Sequence, residues 1–431
     1  MKKLENFLNT RIDLLKKYRL TESLLLLLLL TPLLSYITFG IYYKENAIYY
    51  FQIFFVFYGI FLLFFNRFLD IRIPKYLYLL IFYIIYILFW SFSNGTFEKK
   101  GIFFSEFREQ LAIFFILLII YNINFSDIFI KYSLKIIKLT IIIAFLASLY
   151  QFFDPSFLDA SPLYKFRYFE KPTIDLSSPY EFRRLSIFGY TDLNDLGLSF
   201  LPLLAIYLGY FAQKKKNNYI IYAMGLVTAA LSNTRYIIVG AFLLIIIFWI
   251  SNRLSLSGYI KNIFIFLLLL IFTGVILKFI GYDLIDWFSV RLFAEKSIQS
   301  TTRFGALENF IRFFPKTPIF GTGVHLTAEI ALASAAVGSS QIHVGYLSHL
   351  VSYGIIGSFF LFGFWFFILK DLYRTAKLTN YWGSFFAFLV FIWANFTLVM
   401  YSIYFYGLIF ALIFNKYMQD KYLILYGFNN N

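Results

Sequence analysis

The chain has 431 residues, of which 60% are hydrophobic and only 14% are charged, whereas a soluble domain carries about a quarter of charged residues. This composition excludes an ordinary soluble protein. The formal net charge of +15 is not a nucleic-acid signal, because the lysines and arginines cluster in short connectors between apolar runs. The absence of cysteine excludes disulfides, thiol catalysis and cysteine metal sites.

Apolar runs of about twenty residues recur along the chain, which is the length that a helix needs to cross a bilayer. We therefore predict an all-α integral membrane protein with about twelve spans. They lie at 22–41, 47–65, 76–94, 108–122 and 134–153 (spans 1–5, 22–153), at 195–212, 218–232, 236–251 and 261–281 (spans 6–9, 195–281), and at 343–369, 382–399 and 400–417 (spans 10–12, 343–417).

Basic residues in alternate connectors set the predicted orientation, since cytoplasmic loops carry the excess of lysine and arginine. With the N-terminus inside, Lys214, Lys215 and Lys216 fall in one such inner loop. Residues 1–21 are then a cytoplasmic or interfacial segment, and 418–431 are a cytoplasmic tail. The two long polar segments, 154–194 and 282–342, are predicted to lie outside the cytoplasm.

These two outer segments are longer than is needed to connect neighbouring spans, so their length must have another cause. They also carry positive charge against the topological bias, at Lys165, Arg167, Lys171, Arg183, Arg184, Arg291, Lys296, Arg303, Arg312 and Lys316. This set favours an anionic ligand. The alternative is a solvated loop with incidental charge.

Residues 303–314 are predicted to form an amphipathic helix at the outer membrane boundary. Phe304, Leu307, Phe310, Ile311 and Phe314 recur at helical spacing before Pro315. Arg303 and Arg312 lie on or near its polar side. The alternative is a packing helix, which explains the apolar stripe but not the arginine excess.

Two further candidates are an arginine and a histidine. Arg235 lies in a tight outer turn between two apolar runs, where a charge is either functional or extends to lipid phosphates. His343 begins the tenth predicted span at its outer end, and histidine is the side chain best suited to move protons near neutral pH. His349, six residues further on, is predicted to be structural.

Several motifs are missing. The sequence has no phosphate-binding G-x-x-x-x-G-K-S/T loop and no histidine and carboxylate cluster with metal-ligand spacing. Gly321-Thr322-Gly323 predicts a turn rather than a phosphate cradle. The group around Asn194 is either a helix N-cap or part of a site. We predict neither a metal nor a cofactor.

Four stretches between about residues 180 and 360 carry a family resemblance. They are Arg184-Leu185-Ser186-Ile187-Phe188-Gly189 with Asn194; Ser232-Asn233-Thr234-Arg235; Arg303-Phe304-Gly305-Ala306-Leu307 with Phe314-Pro315 and Pro318-Ile319-Phe320-Gly321-Thr322-Gly323; and His343-Val344-Gly345-Tyr346-Leu347 with Gly354-Ile355-Ile356-Gly357. In this order they resemble the Wzy-type O-antigen polymerase and O-antigen ligase superfamily. Many members have Asn where this chain has Val344, and the first five spans match only in hydrophobicity.

The resemblance implies a metal-independent membrane glycosyltransferase of the C type (GT-C), with short amphipathic helices in two periplasmic segments. It implies a glycan donor carried on undecaprenyl diphosphate at the periplasmic face of the bacterial inner membrane, with both termini cytoplasmic. The implied partners are lipid-linked oligosaccharides and membrane lipids, with a chain-length regulator and a flippase of the same pathway. No nucleic acid is implied.

The predicted function is that of an O-antigen polymerase, or a polymerase of a related surface polysaccharide, in lipopolysaccharide biosynthesis. Without a divalent ion, guanidinium groups must neutralise the leaving diphosphate. We predict that Arg184, Arg235 and Arg303 bind it, with Arg303 also catalytic, and that His343 takes the acceptor hydroxyl proton. The predicted supporting residues are Arg183, Asn194, Arg312 and Tyr346.

Two alternatives remain open. An O-antigen ligase would transfer the finished polymer to lipid A-core, and neither the length nor the span number separates it from a polymerase. A multi-span transporter or lipid-linked oligosaccharide flippase belongs to another class. Such proteins often show internal repeats and charges within the spans, whereas this sequence shows no repeat and its span interiors are almost uncharged.

Overall fold

The structure is a computed structural model that describes residues 20–30, 53–61, 73–153, 193–216, 218–231, 235–252, 260, 264, 302–324, 344–396 and 405–426. In these ranges every long element is a helix and no strand occurs, which confirms the all-α class. In chain order they are α1 (Leu20–Leu30), α2 (53–61), α3 (Lys75–Ser93), α4 (Lys100–Asn122), α5 (Asp127–Phe153), α6 (Leu193–Gln213), α7 (Tyr219–Leu231), α8 (Arg235–Leu243), α9 (Ile245–Asn252), α10 (Thr302–Phe313), α11 (Gly345–Thr379), α12 (Gly383–Ala394) and α13 (Phe405–Tyr426).

Three of the described helices, α3, α5 and α11, are long and apolar enough to cross a membrane. Helix α3 illustrates the suitability for a membrane, because it is apolar on both its buried and its exposed face. Leu80 and Tyr83 are completely buried, whereas Phe82 and Phe89 are 52% and 68% exposed. A helix that is hydrophobic all round suits lipid on one side and protein on the other. The helices indicate a membrane-embedded protein, and the number of twelve spans stays a prediction.

Helix α6 lies at the centre of the described bundle, in contact with α5, α8, α9, α12 and α13. Its side chains from Phe200 to Leu208 are buried. Small residues bring α6 and α12 together, since a Cβ atom on Gly209 would lie 2.3 Å from the backbone nitrogen of Gly383. Close backbone approach of this kind is typical of helix pairs in membranes.

One end of the bundle is fastened by a carboxylate on α11. Asp371 Oδ2 accepts hydrogen bonds from Tyr121 of α4 at 3.1 Å and from Asn415 of α13 at 3.2 Å. The amide of Gln419 also donates to Asp371 and, at 2.8 Å, to Thr375 Oγ1. We call these five residues the Asp371 cluster. It satisfies the carboxylate and joins three helices.

Helix α11 reverses its direction at Gly354, where φ is 62° and ψ is −167°. The rings of His349 and Trp365 lie 5.8 Å apart, although sixteen residues of continuous helix would separate them by about 24 Å. Residues 345–353, here named the half-helix, therefore lie back along the longer part, 355–379. The backbone N–H of Gly345 donates to the Asn395 carbonyl at 2.9 Å, so the half-helix starts beside the end of α12.

Candidate functional site

The reversal at Gly354 breaks the helical hydrogen bonds, which leaves backbone groups on both sides without helical partners. Residues 318–323, here named the docked turn, supply those partners. The four hydrogen bonds are Thr322 N to Val351 O (2.7 Å), Gly323 N to Ser352 O (3.0 Å), Ile355 N to Pro318 O (2.9 Å) and Ile356 N to Ile319 O (3.2 Å). Two segments far apart in sequence thus complete each other at one junction.

Glycine is needed on both sides of this junction. Gly354 has a backbone conformation that is essentially restricted to glycine, and a Cβ atom there would lie 2.3 Å from the carbonyl oxygen of Ile319. Gly321 has φ +82°, and its Cβ would lie 2.5 Å from Gly354 N. Any side chain at either position would push the docked turn away from the reversal.

Gly321-Thr322-Gly323 is not a phosphate cradle, because its three backbone donors are already used. Gly321 N donates to the Thr317 carbonyl at 2.8 Å, and the next two N–H groups donate to carbonyls of the half-helix. A cradle needs N–H groups that point at the anion. The structure agrees with the predicted turn at Gly321-Thr322-Gly323.

Side chains of α3 and α4 hold the junction from the opposite side. The hydroxyl oxygen of Tyr86 lies 2.6 Å from the Phe320 carbonyl oxygen and 2.8 Å from that of Tyr353. The Tyr353 hydroxyl donates to the carboxylate of Glu106. The rings of Tyr83 and Tyr353 meet edge to face at 5.4 Å.

The end of α3 also rests on the docked turn. The Trp90 ring stacks on Phe320 with centroids 5.3 Å apart. A Cβ atom on Gly323 would lie 2.4 Å from the amide nitrogen of Asn94, so this glycine allows the amide to approach the backbone. The docked turn is therefore enclosed by α3 on one side and α11 on the other.

Helix α10 packs against the half-helix and leads into the docked turn through a 3-10 helix, Phe314–Lys316. Ala306 and Val351 are 0% and 1% exposed at this contact, with Phe310, Phe313, Phe314, Val344 and Leu347 around them. Leu307 and Ile311 stay 45% and 64% exposed. One side of the helix thus packs on protein and another is exposed, while its place at the outer membrane boundary stays a prediction.

Arg312 and Tyr346 are the two predicted supporting residues whose side chains are described. The Arg312 guanidinium is exposed and lies 5.4 Å from the centre of the Phe313 ring. The Tyr346 hydroxyl donates to the Ile392 carbonyl at 2.8 Å, and its ring packs 5.5 Å from Phe362. Tyr346 therefore ties the half-helix to α12, while Arg312 remains near the surface of α10.

Three other predicted residues lie at the N-terminal ends of helices. Arg235 is the first residue of α8, whereas Arg303 and Asn194 are the second residues of α10 and α6. A helix N-terminus carries partial positive charge and favours anions. His343, Arg183 and Arg184 lie outside the described residues. All of these role assignments stay predictions.

Tyr86 and Glu106 were not among the predicted site residues, because both lie between residues 22 and 153, where the sequence shows no motif. One signal was available for Glu106, since it is a carboxylate next to an apolar run. Tyr86 had none, because it is one tyrosine among many in an aromatic-rich helix. His349 packs 6.0 Å from Tyr353 and 5.8 Å from Trp365, ring to ring, among aromatic side chains, as a structural residue would.

Residues 220–362 match a family model, Wzy_C, described as O-antigen ligase. The match confirms the predicted resemblance to the O-antigen polymerase and ligase superfamily. It covers about a third of the chain and includes α10, the docked turn and the half-helix. No curated protein matches the chain. The family and the apolar helices together indicate a membrane-embedded protein with glycosyltransferase-like or ligase activity.

Proposed function

We propose that this protein polymerises O-antigen, or a related surface polysaccharide, at the periplasmic face of the bacterial inner membrane. One lipid-linked glycan is the donor, carried on undecaprenyl diphosphate, and a second lipid-linked repeat unit is the acceptor. The observation that carries the proposal is the family match over 220–362. Within that range α10, which bears Arg303, packs on the half-helix that follows His343 in sequence.

The proposed reaction forms one glycosidic bond and breaks one bond to phosphate. The hydroxyl oxygen of the acceptor sugar attacks the anomeric carbon of the donor. The bond from that carbon to the diphosphate oxygen breaks, and its electron pair leaves with undecaprenyl diphosphate. The hydroxyl proton passes to His343, which acts as general base. The donor carries its own activation, so the reaction needs no nucleotide.

Arginine supplies the charge that the leaving diphosphate requires. Guanidinium groups form bidentate, charge-assisted hydrogen bonds with phosphate oxygens, and we assign Arg184, Arg235 and Arg303 to this role. Arg235 and Arg303 both lie within the range that matches the family model, which supports the assignment for these two. In this proposal no divalent ion is used.

The test is the lipopolysaccharide banding pattern of a strain that lacks the gene, complemented with the wild-type protein or with a variant. A polymerase defect leaves lipid A-core with a single repeat unit. We expect Arg303→Ala and His343→Ala to reproduce the deletion pattern at normal membrane levels. Lys100→Ala, an exposed charge at the start of α4, serves as the control and should restore the ladder. A near-normal ladder from either site variant would remove that residue from the mechanism.

The second candidate is an O-antigen ligase, which the description of the matching family favours. In that case the deletion would leave lipid A-core bare, and undecaprenyl-linked polymer would accumulate. The same gel therefore separates the two functions. It also decides whether the arginine and histidine variants act on chain growth or on transfer.

A further inference from the structure

The hydroxyl of Tyr86 lies where three segments of the chain meet. It belongs to α3, and it is within hydrogen-bond distance of one carbonyl of the docked turn, that of Phe320, and of the last carbonyl of the half-helix, that of Tyr353. With one proton it donates to one of these carbonyls at a time. Either way, a single side chain bridges both partners of the junction.

Glu106 of α4 fixes the same point from a second direction. Its carboxylate accepts a hydrogen bond from the Tyr353 hydroxyl and also forms a hydrogen bond with the Gln110 side chain. Tyr353 is only 4% exposed, so its polar atom must find a partner inside the protein. We call Tyr86, Glu106 and Tyr353 the clamp. It links α3 and α4, which lie outside the family match, to the docked turn and the half-helix within it.

The neighbouring backbone is shaped to admit the Tyr86 ring. A Cβ atom on Gly357 would lie 2.6 Å from Tyr86 Cε1. Gly357 comes only three residues after the reversal, on the side of α11 that faces α3. The absence of a side chain at Gly357 therefore lets the ring pack closely against α11, with its hydroxyl at the junction.

In sequence, each of the two residues to which the reaction is assigned leads into one partner of the junction. From Arg303 the chain runs along α10 and the 3-10 helix into the docked turn, while from His343 it enters the half-helix two residues later and ends at Gly354. Both paths meet at the four backbone hydrogen bonds of the junction. Whatever shifts the docked turn on the reversal also shifts α10 against the half-helix.

We propose that the clamp is a positioning device, which sets the placement of α10, the helix that bears Arg303, against the half-helix. The proposal rests on the function proposed above. Its residues do not touch the substrate; they act through the docked turn. A misplacement of about 1 Å can slow catalysis up to about a hundredfold, whereas the loss of one hydrogen bond lowers the stability only slightly.

The activity experiment uses the full-length protein in vesicles with a lipid-linked repeat unit, and measures polymer formed per amount of protein. We expect Tyr86→Phe and Glu106→Ala to lower the rate at least about tenfold at normal protein levels. Glu106→Gln should recover much of the loss, because its amide oxygen still accepts from Tyr353. The matched controls are Tyr78→Phe, a half-exposed tyrosine of α3, and Glu98→Gln, an exposed carboxylate before α4. Both should keep the wild-type rate.

A second measurement follows the junction itself. The chain has no cysteine, so Ile319→Cys with Ile355→Cys creates a unique thiol pair across the docked turn and the reversal. Both side chains are more than half exposed. A short bis-maleimide should join them, and mass spectrometry gives the joined fraction. Adding Tyr86→Phe should lower that fraction severalfold, whereas adding Tyr78→Phe should leave it unchanged.

The two measurements separate the possible failures. A full rate for Tyr86→Phe overturns the proposal. A lost rate with an unchanged joined fraction also overturns it, since the hydroxyl would then act elsewhere than at the junction. If the deletion strain shows no polysaccharide defect, the proposed function fails, yet the cross-link still reports whether Tyr86 holds the docked turn.

Discussion

Helix α11 carries a polar cluster at each end of its long part, and the two are built differently. At Gly354 the junction is made of backbone groups, which the docked turn pairs one by one. At Asp371, about 25 Å further along the helix, the cluster is made of side chains from α4, α11 and α13. The first depends on two glycines, Gly321 and Gly354, that leave room for the backbones to meet, and the second depends on side-chain donors around a carboxylate.

The two joints differ in how far their geometry can vary. A backbone junction allows one geometry, because the hydrogen-bond positions are fixed by the chain itself. A side-chain cluster has several donors around one carboxylate, so the loss of one leaves the others in place. The joint at Gly354, which leads to the candidate site, therefore allows little change in geometry. The cluster at Asp371 tolerates the loss of a single donor.

The largest effect is expected for Gly354→Ala. The added Cβ would lie 2.3 Å from the Ile319 carbonyl oxygen at φ +62°, so both strain and a steric clash oppose the native junction. We expect a loss of about 3 kcal/mol or more in the free energy of unfolding in detergent, with reduced membrane levels. Gly101→Ala is the control, since a Cβ there meets nothing within 4 Å. Equal stability of the two variants would contradict the described reversal.

Asp371→Ala should have the next largest effect, about 2 kcal/mol, because it removes the acceptor that the Tyr121, Asn415 and Gln419 donors share. Asp371→Asn keeps one acceptor oxygen and should lose less. Thermal unfolding of the purified variants measures both. Polymer formed per folded molecule should stay near the wild-type value, and a selective loss of activity would show that this end is not merely structural.

The sequence predicted these two ends unequally. Apolar runs and basic connectors predicted a helical membrane protein, and the docked turn and the half-helix fell within the recognised motifs. The reversal did not follow from hydropathy, because the half-helix and the longer part read as one apolar run. The glycine at position 354 belongs to a recognised motif, but the sequence does not show that its φ is +62° and that the helix reverses there. The bonds from Glu106 to Tyr353 and from Asp371 to Tyr121, Asn415 and Gln419 join residues more than forty positions apart in sequence. No local pattern shows such pairs.

Tyr121→Phe tests the tolerance of the side-chain cluster more finely. It removes one of the donors to Asp371, at 3.1 Å, while Asn415 and Gln419 remain. The expected loss is about 1 kcal/mol, or roughly half that of Asp371→Ala. Combined with Asn415→Ala, the two losses should fall short of additivity, as expected for residues that share one partner. Strict additivity in thermal unfolding would argue against a shared carboxylate.

Thr322→Val should have the smallest effect, and it bears most directly on the backbone nature of the junction. Thr322 pairs with Val351 O through its backbone N–H at 2.7 Å, and its hydroxyl is a weaker neighbour of the same oxygen at 3.2 Å. Valine keeps the N–H and the shape but loses the hydroxyl, so we expect about 0.5 kcal/mol of destabilisation and a rate close to wild type. The matched change is Gly321→Ala, one position earlier, whose Cβ would lie 2.5 Å from Gly354 N and should abolish activity. If Thr322→Val were as damaging as Gly321→Ala, the Thr322 hydroxyl would have a role of its own. The joint at Gly354 would then depend on side chains, as the cluster at Asp371 does, and not mainly on backbone hydrogen bonds.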